Sequence, residues 1–96
     1  MCKKDGKRLV HARKYYLLSG YRFLYINVKD ESHNELEINI TYNGGEFHLE
    51  IFNKDNESIY KLDNPETNKY LVNLPLGKNK ITIRSKAAIG AYSFYF

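Results

Sequence analysis

The fold class of this chain follows from residues 35–51, which read ELEINITYNGGEFHLEI. Apolar and polar side chains alternate on both sides of Asn43, Gly44 and Gly45. Because successive side chains of a strand point to opposite faces, each side predicts a strand with one buried face. Asn and Gly tolerate the positive φ of tight turns, so the break between the two runs predicts a β-hairpin.

The rest of the chain reads as further short strands separated by turn residues. About eight are expected, at residues 9–18, 21–28, 35–42, 46–53, 58–62, 70–74, 80–86 and 91–96, with a short helix as the alternative for the first. This spacing is typical of a β-sandwich or jelly roll. We therefore expect an all-β protein: a flexible basic arm at residues 1–8, and a single antiparallel, jelly-roll-like β-sandwich at residues 9–96. The expected core contains Ile38, Ile40, Leu49, Ile51, Ile81, Ile83 and Phe94.

Composition limits the class of protein. Ninety-six residues suit one domain, and 43% hydrophobic and 27% charged residues suit a globular one. The lone cysteine, Cys2, excludes an internal disulfide. No apolar run approaches the ~20 residues that a membrane-spanning helix needs, so we expect no transmembrane segment. The bias toward Asn, Lys, Tyr and Ile suggests a low-GC bacterium or its phage.

Two interpretations of the N-terminus stay open. If Met1 is the native start, the absence of a signal peptide predicts a cytoplasmic protein. If Met1 replaces a signal, Cys2, Lys3 and Lys4 resemble the start of a mature bacterial lipoprotein. In that case Cys2 carries the lipid and the protein is extracellular and membrane-anchored.

Charge is strongly segregated along the sequence. Residues 1–29 contain eight basic residues and one acidic residue, residues 30–66 contain two and ten, and residues 67–96 contain five and none. This pattern predicts either cross-strand attraction between the acidic middle and the basic ends, or separate basic and acidic faces. Basic ends can also attract nucleic acid or anionic membranes.

The second half resembles a known group of small bacterial β-sandwich modules. The segments GEFHLEIFNKDNESIY and KYLVNLPLGKNKITIRSKAAIGAYSF look like the closing half of pre-peptidase C-terminal domains and carbohydrate-binding-like jelly rolls. The glycine, isoleucine and aromatic positions of their last two strands correspond to Gly77, Ile81, Ile83, Gly90, Tyr92 and Phe94. The resemblance implies a noncatalytic accessory or binding module, commonly outside the cell.

The aromatic residues supply the candidate binding site. Nine tyrosines and five phenylalanines are present, and residues 21–28 (YRFLYINV) are apolar on both faces. If Leu24 and its alternate neighbours face the core, Tyr21, Phe23 and Tyr25 form an exposed stripe beside Arg22, which marks a binding surface. The other interpretation is that this strand is covered on both sides, by residues 9–18 or by a second copy of the chain.

The sequence contains no recognisable catalytic or metal-binding motif. His11, His33 and His48 lack metal-ligand spacing, and Asn53, Asp55 and Glu57 begin a calcium-loop pattern that fails at Ser58 and Asn64. No serine has the flanking residues of a nucleophile elbow. We therefore expect no catalytic residues, no bound metal and no cofactor.

The sequence thus predicts a noncatalytic β-sandwich binding module. Its partner is a protein or a glycan, engaged through the aromatic face formed by Tyr21, Phe23, Tyr25 and Arg22, and homo-oligomers are a further option. Two alternatives stay open: a small cytoplasmic protein-interaction inhibitor or adaptor, and a nucleic-acid binder that uses the basic N-terminal third. Any nucleic-acid affinity is expected to be weak and nonspecific.

Overall fold

The computed structural model describes residues 3–4 and 7–96, and the fold is built entirely from β-strands. The strands are β1 (Lys3–Lys4), β2 (Lys7–Val28), β3 (Glu35–Phe52), β4 (Ser58–Asp63), β5 (Asn68–Asn73) and β6 (Gly77–Tyr95). The all-β class expected from the alternation is therefore confirmed. Cys2, the candidate lipidation residue, lies outside the described residues.

The strands form one antiparallel sheet in the order β1-β2-β6-β3-β4, and β5 also pairs with β3. β2 begins at Lys7, two residues before the strand expected from the sequence. Arg8 and Phe96 there exchange two backbone hydrogen bonds of 3.1 and 2.9 Å, which join the two ends of the described chain. No helix in the described part of the chain has the length and apolar character needed to cross a membrane.

The prediction of about eight short strands is wrong. Five strands have six to 22 residues, and β1 adds a strand of two residues. β2, β3 and β6 each run without interruption through a break at which the sequence predicts a turn. For the same reason the hairpin predicted at residues 43–45 is wrong: residues 37–41 and 46–52 of β3 both pair with β6 and not with each other.

The three long strands are irregular along one line across the sheet. Leu18 of β2 pairs with Ala88 of β6, and Gly44 of β3 pairs with Ile89 of β6, with register shifts around both pairs. The irregularities change which residues are buried: in β3 the buried apolar residues are even-numbered up to Ile40 and odd-numbered from Phe47. Such bulges bend a strand and redirect its side chains.

Two glycines allow the backbones to approach closely at this line. A Cβ on Gly45 would collide with the carbonyl oxygen of Ala87, and one on Gly90 would collide with the carbonyl oxygen of Thr41. Gly45 also has a φ of 80°, which residues with a side chain rarely adopt. Glycine at these positions therefore permits a bend between paired strands rather than a chain reversal.

The halves of the bent strands share one hydrophobic core. The cluster contains every residue of the expected core, each at most 3% exposed, together with Leu36, Phe47 and Tyr92. Tyr15, before the bend in β2, stacks on Phe47, after the bend in β3, at 5.9 Å between ring centroids. The core prediction from the alternation is therefore confirmed, although the strands that carry it are longer than expected.

Candidate binding face

The candidate aromatic residues lie on the outer face of the sheet, at the edge formed by β2. Tyr21, Phe23 and Tyr25, here called the aromatic row, are 49%, 52% and 48% exposed. Residues 20–28 pair with β6 without a register shift, so the alternation is regular and Ile26 and Val28 point into the core. The ring centroid of Phe23 lies 6.1 Å from that of Tyr21 and 5.7 Å from that of Tyr25, so the three rings form a continuous row.

A second row, of cations, lies beside the aromatic row on β6. Lys78 lies over Tyr25 at 4.2 Å from the ring centroid, Lys80 over Phe23 at 4.8 Å, and Arg84 over Tyr21 at 5.9 Å. We call Lys78, Lys80 and Arg84 the basic row. At exposed sites each such contact is worth about 0.5–1 kcal/mol, which favours rings that are held in place while still half exposed.

The basic row was not predicted from the sequence, although the sequence contains a pattern that indicates it. In residues 77–86, GKNKITIRSK, the cations alternate with the inward-facing Asn79, Ile81 and Ile83. The cations are therefore predictable as outward-facing. What the sequence does not show is that β6 pairs with β2 and brings its cations over the aromatic rings.

The structure places Arg22 on the opposite face of β2 from the aromatic row. Because side chains alternate, Arg22 lies on the same side of β2 as Leu24, opposite to Tyr21 and Phe23. It lines a cleft of about 310 Å³ between the two halves of β2. The other lining residues are Val10, His11, Leu24, Ile83 and Tyr92, together with Phe23 and Tyr25 of the aromatic row. The sequence reading expected Arg22 beside the stripe, so only three of the four candidate residues share that face.

Tyr92, which lines this cleft, is buried and contacts His11. Its hydroxyl lies 3.2 Å from Nε2 of His11, and the two rings are 5.5 Å apart. Burial raises the pKa of Tyr92 above its usual value, while the charges of Arg13 and Arg22 act in the opposite direction. The cleft is therefore lined by apolar side chains together with the polar groups of His11, Arg22 and Tyr92.

Ion pairing leaves much of the basic charge without a carboxylate. Among the described residues, Lys7 and Glu35, at 3.0 Å, form the only ion pair that joins the basic first third to the acidic middle of the sequence. No carboxylate of the described part lies within ion-pair distance of Arg22 or of the basic row. Cross-strand neutralisation of the basic ends is therefore limited to one pair in the described chain.

The neighbouring surface of β3 and β4 is polar. Nδ1 of His48 lies 2.8 Å from the Asp63 carboxylate, in a shallow depression that Thr82 and Arg84 also line. The hydroxyl of Thr82 donates to the backbone carbonyl of Glu50 at 3.0 Å, so its proton is already engaged. The depression thus pairs a histidine with a carboxylate but offers no free hydroxyl beside them.

The three histidines lie in separate places. His11 contacts Tyr92, the His33 ring stacks on Phe96 at 4.6 Å, and His48 contacts Asp63. Among the described residues, no three His, Cys, Asp or Glu side chains are grouped so that they could hold a metal ion. In the acidic loop, the Asn53 side-chain oxygen accepts hydrogen bonds from the backbone N–H groups of Asp55 and Glu57, which closes a turn.

No family model matches the chain, and no curated protein matches it. The resemblance of the second half to pre-peptidase C-terminal and carbohydrate-binding-like domains therefore stays a prediction.

Proposed function

We propose that this chain is a noncatalytic binding module whose working surface is the aromatic row with the adjoining basic row. The observation that carries the proposal is that three neighbouring rings are about half exposed and each lies beneath a cation. Exposed aromatic clusters are uncommon on monomeric proteins, and aromatic and arginine side chains supply much of the energy at interfaces.

The partner that we propose is a protein rather than a glycan. The cations of the basic row have no carboxylate partner in the described chain, so a ligand with acidic side chains would neutralise charge as well as cover the rings. A neutral glycan would stack on the rings but leave those charges unpaired. The polar depression at His48 supports a noncatalytic function, because its neighbouring hydroxyl is engaged with the backbone.

We also propose that the bent sheet is a β-sandwich in which the two halves of the long strands form the two layers. The stacking of Tyr15 on Phe47 across the bend and the single shared core support it. The smallest extent of the molecule, 18 Å, leaves room for two sheets packed about 10 Å apart. This arrangement leaves the aromatic row on an outer surface.

A binding panel with matched variants tests the proposed function. The ligands are an acidic peptide, neutral and sulfated oligosaccharides, and a single-stranded oligonucleotide. The proteins are the parent, the double variant Tyr21→Ser/Tyr25→Ser, and the control Tyr16→Ser, which removes a more exposed ring, 76% exposed, outside the row. We expect the acidic peptide to bind, and its Kd to rise at least about tenfold in the double variant only.

Melting curves accompany the panel, because the double variant must keep its fold for the comparison to hold. Lys80→Glu provides a second route to the same question, since it leaves every ring in place and reverses one charge of the basic row. Unchanged affinity in both variants would contradict the proposed function. Preferential binding of a neutral oligosaccharide would assign the face to a glycan and overturn the choice of partner.

A further inference from the structure

The side of β2 that faces away from β6 is an open edge. Residues 21–28 pair with β6 in regular register, and no other described strand pairs with them. The bulges that often protect edge strands lie earlier in β2, between Leu9 and Gly20. Eight regular residues with free backbone donors and acceptors on one side can accept an added strand.

Exposed apolar side chains are concentrated along the same strand. Of the ten large hydrophobic residues that are exposed in the described part of the chain, seven belong to β2: Leu9, Val10, Tyr16, Leu17, Tyr21, Phe23 and Tyr25. Three of these seven, Tyr21, Phe23 and Tyr25, lie on the open edge itself. Burial of this surface by a partner would be favourable, at roughly 25 cal/mol per Å² of apolar area.

The cleft beside Arg22 lies next to the open edge, where it can receive the inward-facing side chains of an added strand. An added strand directs one set of side chains to the outer face, next to the aromatic row, and the other set inward. The inward set would enter the cleft of about 310 Å³, against Val10, Leu24 and Ile83. The two sides of the open edge thus offer different surfaces to alternate residues of one extended segment.

Charge selects the occupant. Residues 20–28 and 77–86, which form the open edge and its neighbouring strand, contain five basic residues and no acidic residue. A second copy of the chain paired edge to edge would place these like charges together, which is unfavourable. The basic row leans from β6 over the rings of β2, toward the side on which an added strand would present its carboxylates.

We propose that an extended acidic segment of a partner protein, with alternating acidic and apolar residues, adds as a strand to the open edge at residues 21–28. Its carboxylates face the basic row and its apolar side chains enter the cleft. This inference rests on the proposed function and specifies its partner. A nucleic acid could reach the cations, but it has no peptide groups with which to pair along the open edge.

The test uses an eight-residue peptide of alternating valine and glutamate, capped at both ends, with a valine–lysine peptide as the control. Hydrogen exchange of the full chain, followed by NMR, is measured with and without each peptide. We expect slowed exchange at alternate amides of residues 21–28 with the glutamate peptide only, because every second N–H of an edge strand points to the added strand. If the glutamate peptide binds without protecting these amides, strand addition is overturned. If that binding is nevertheless weakened in Tyr21→Ser/Tyr25→Ser, the proposed function still stands.

A cleft variant tests the inward contacts without a substitution in the aromatic row. Val10→Phe adds bulk to the cleft wall and leaves the aromatic row in place, while Leu9→Phe makes a similar change at an exposed residue that does not line the cleft. We expect Val10→Phe to raise the Kd of the glutamate peptide about tenfold, since an inserted side chain contributes about 1–2 kcal/mol, and Leu9→Phe to change it little. Equal effects of the two variants would contradict insertion into the cleft.

Three further outcomes would overturn the inference. The first is failure of the glutamate peptide to bind at millimolar concentration. The second is a dimer in sedimentation whose open edge is already protected without peptide, which would assign the edge to a second copy. The third is an oligonucleotide that displaces the bound peptide and gives no amide protection, which would assign the surface to nucleic acid.

Discussion

At the residue scale, Gly45 marks the difference between a bend and a turn. Asn-Gly-Gly between two alternating runs favours a hairpin on local grounds, because all three residues tolerate positive φ. In the structure, glycine is required at residue 45 because the backbone of β6 approaches closely: a Cβ on Gly45 would collide with the carbonyl oxygen of Ala87. Local φ preference is readable from sequence, whereas the approach of a strand more than forty residues away is not.

Substitution at this bend gives a direct prediction. Gly45→Ala should destabilise the fold by about 2–4 kcal/mol, since it combines an unfavourable φ with a backbone collision. Gly44→Ala is the matched control: its φ is also positive, but nothing lies within 4 Å of the added Cβ. Urea unfolding of both variants measures the difference, and equal losses would show that close approach at Gly45 is absent.

The Tyr15 hydroxyl gives a pH-dependent prediction. Its oxygen is buried without a hydrogen-bond partner in the described structure, and burial, with the neighbouring Tyr92 and Tyr42, raises the pKa of Tyr15 to about 12 from 10.0. Between about pH 10 and 12 the unfolded chain loses this proton while the folded chain keeps it. Stability therefore falls with rising pH in that window.

Tyr15→Phe should reduce this alkaline loss, because the substituted ring has no proton to lose. At pH 7 the variant should be as stable as the parent or slightly more stable, since an unpaired buried hydroxyl is removed. Urea unfolding at pH 7 and across pH 10–12 measures both effects. A variant that loses more than about 1 kcal/mol at pH 7 would mean that the hydroxyl has a favourable partner.

At the scale of elements, alternation predicted faces more reliably than it predicted strand ends. Ile38, Ile40, Leu49 and Ile51 were assigned to the buried face from their spacing, and all four are buried. Side-chain alternation depends only on local backbone geometry, so it survives whether the chain turns or bends. Whether residues 35–42 and 46–52 belong to one strand depends on β6, which pairs with both.

The same reasoning applies to the candidate site. One of the two interpretations of residues 21–28 predicted the aromatic row, because both faces of this strand are apolar and a core needs only one of them. The position of the basic row over the rings was not predictable, since it depends on pairing between β2 and β6. The cleft was not predictable either, since it depends on the bend that brings Val10 near Arg22. Long-range pairing therefore supplies the part of the site that distinguishes an acidic partner from a neutral one.

At the scale of the whole molecule, the charge segregation of the sequence becomes a spatial one. β2 and β6 contain no acidic residue. Eight of the eleven acidic residues of the sequence lie in residues 35–66. Because β3 lies on one side of β6 and β2 on the other, the acidic strands and the open edge are at different sides of the sheet. A basic edge that is separate from the acidic strands suits an acidic partner.

The central claim, that the aromatic row is the binding surface, is tested most directly by NMR of the ring protons. The valine–glutamate peptide is titrated into protein labelled at tyrosine and phenylalanine. We predict that the ring signals of Tyr21, Phe23 and Tyr25 shift together with one Kd, while that of Tyr16 stays in place. Saturable binding that leaves the signals of those three rings unperturbed, or that perturbs the Tyr16 signal instead, would contradict the assignment of the binding surface to the aromatic row.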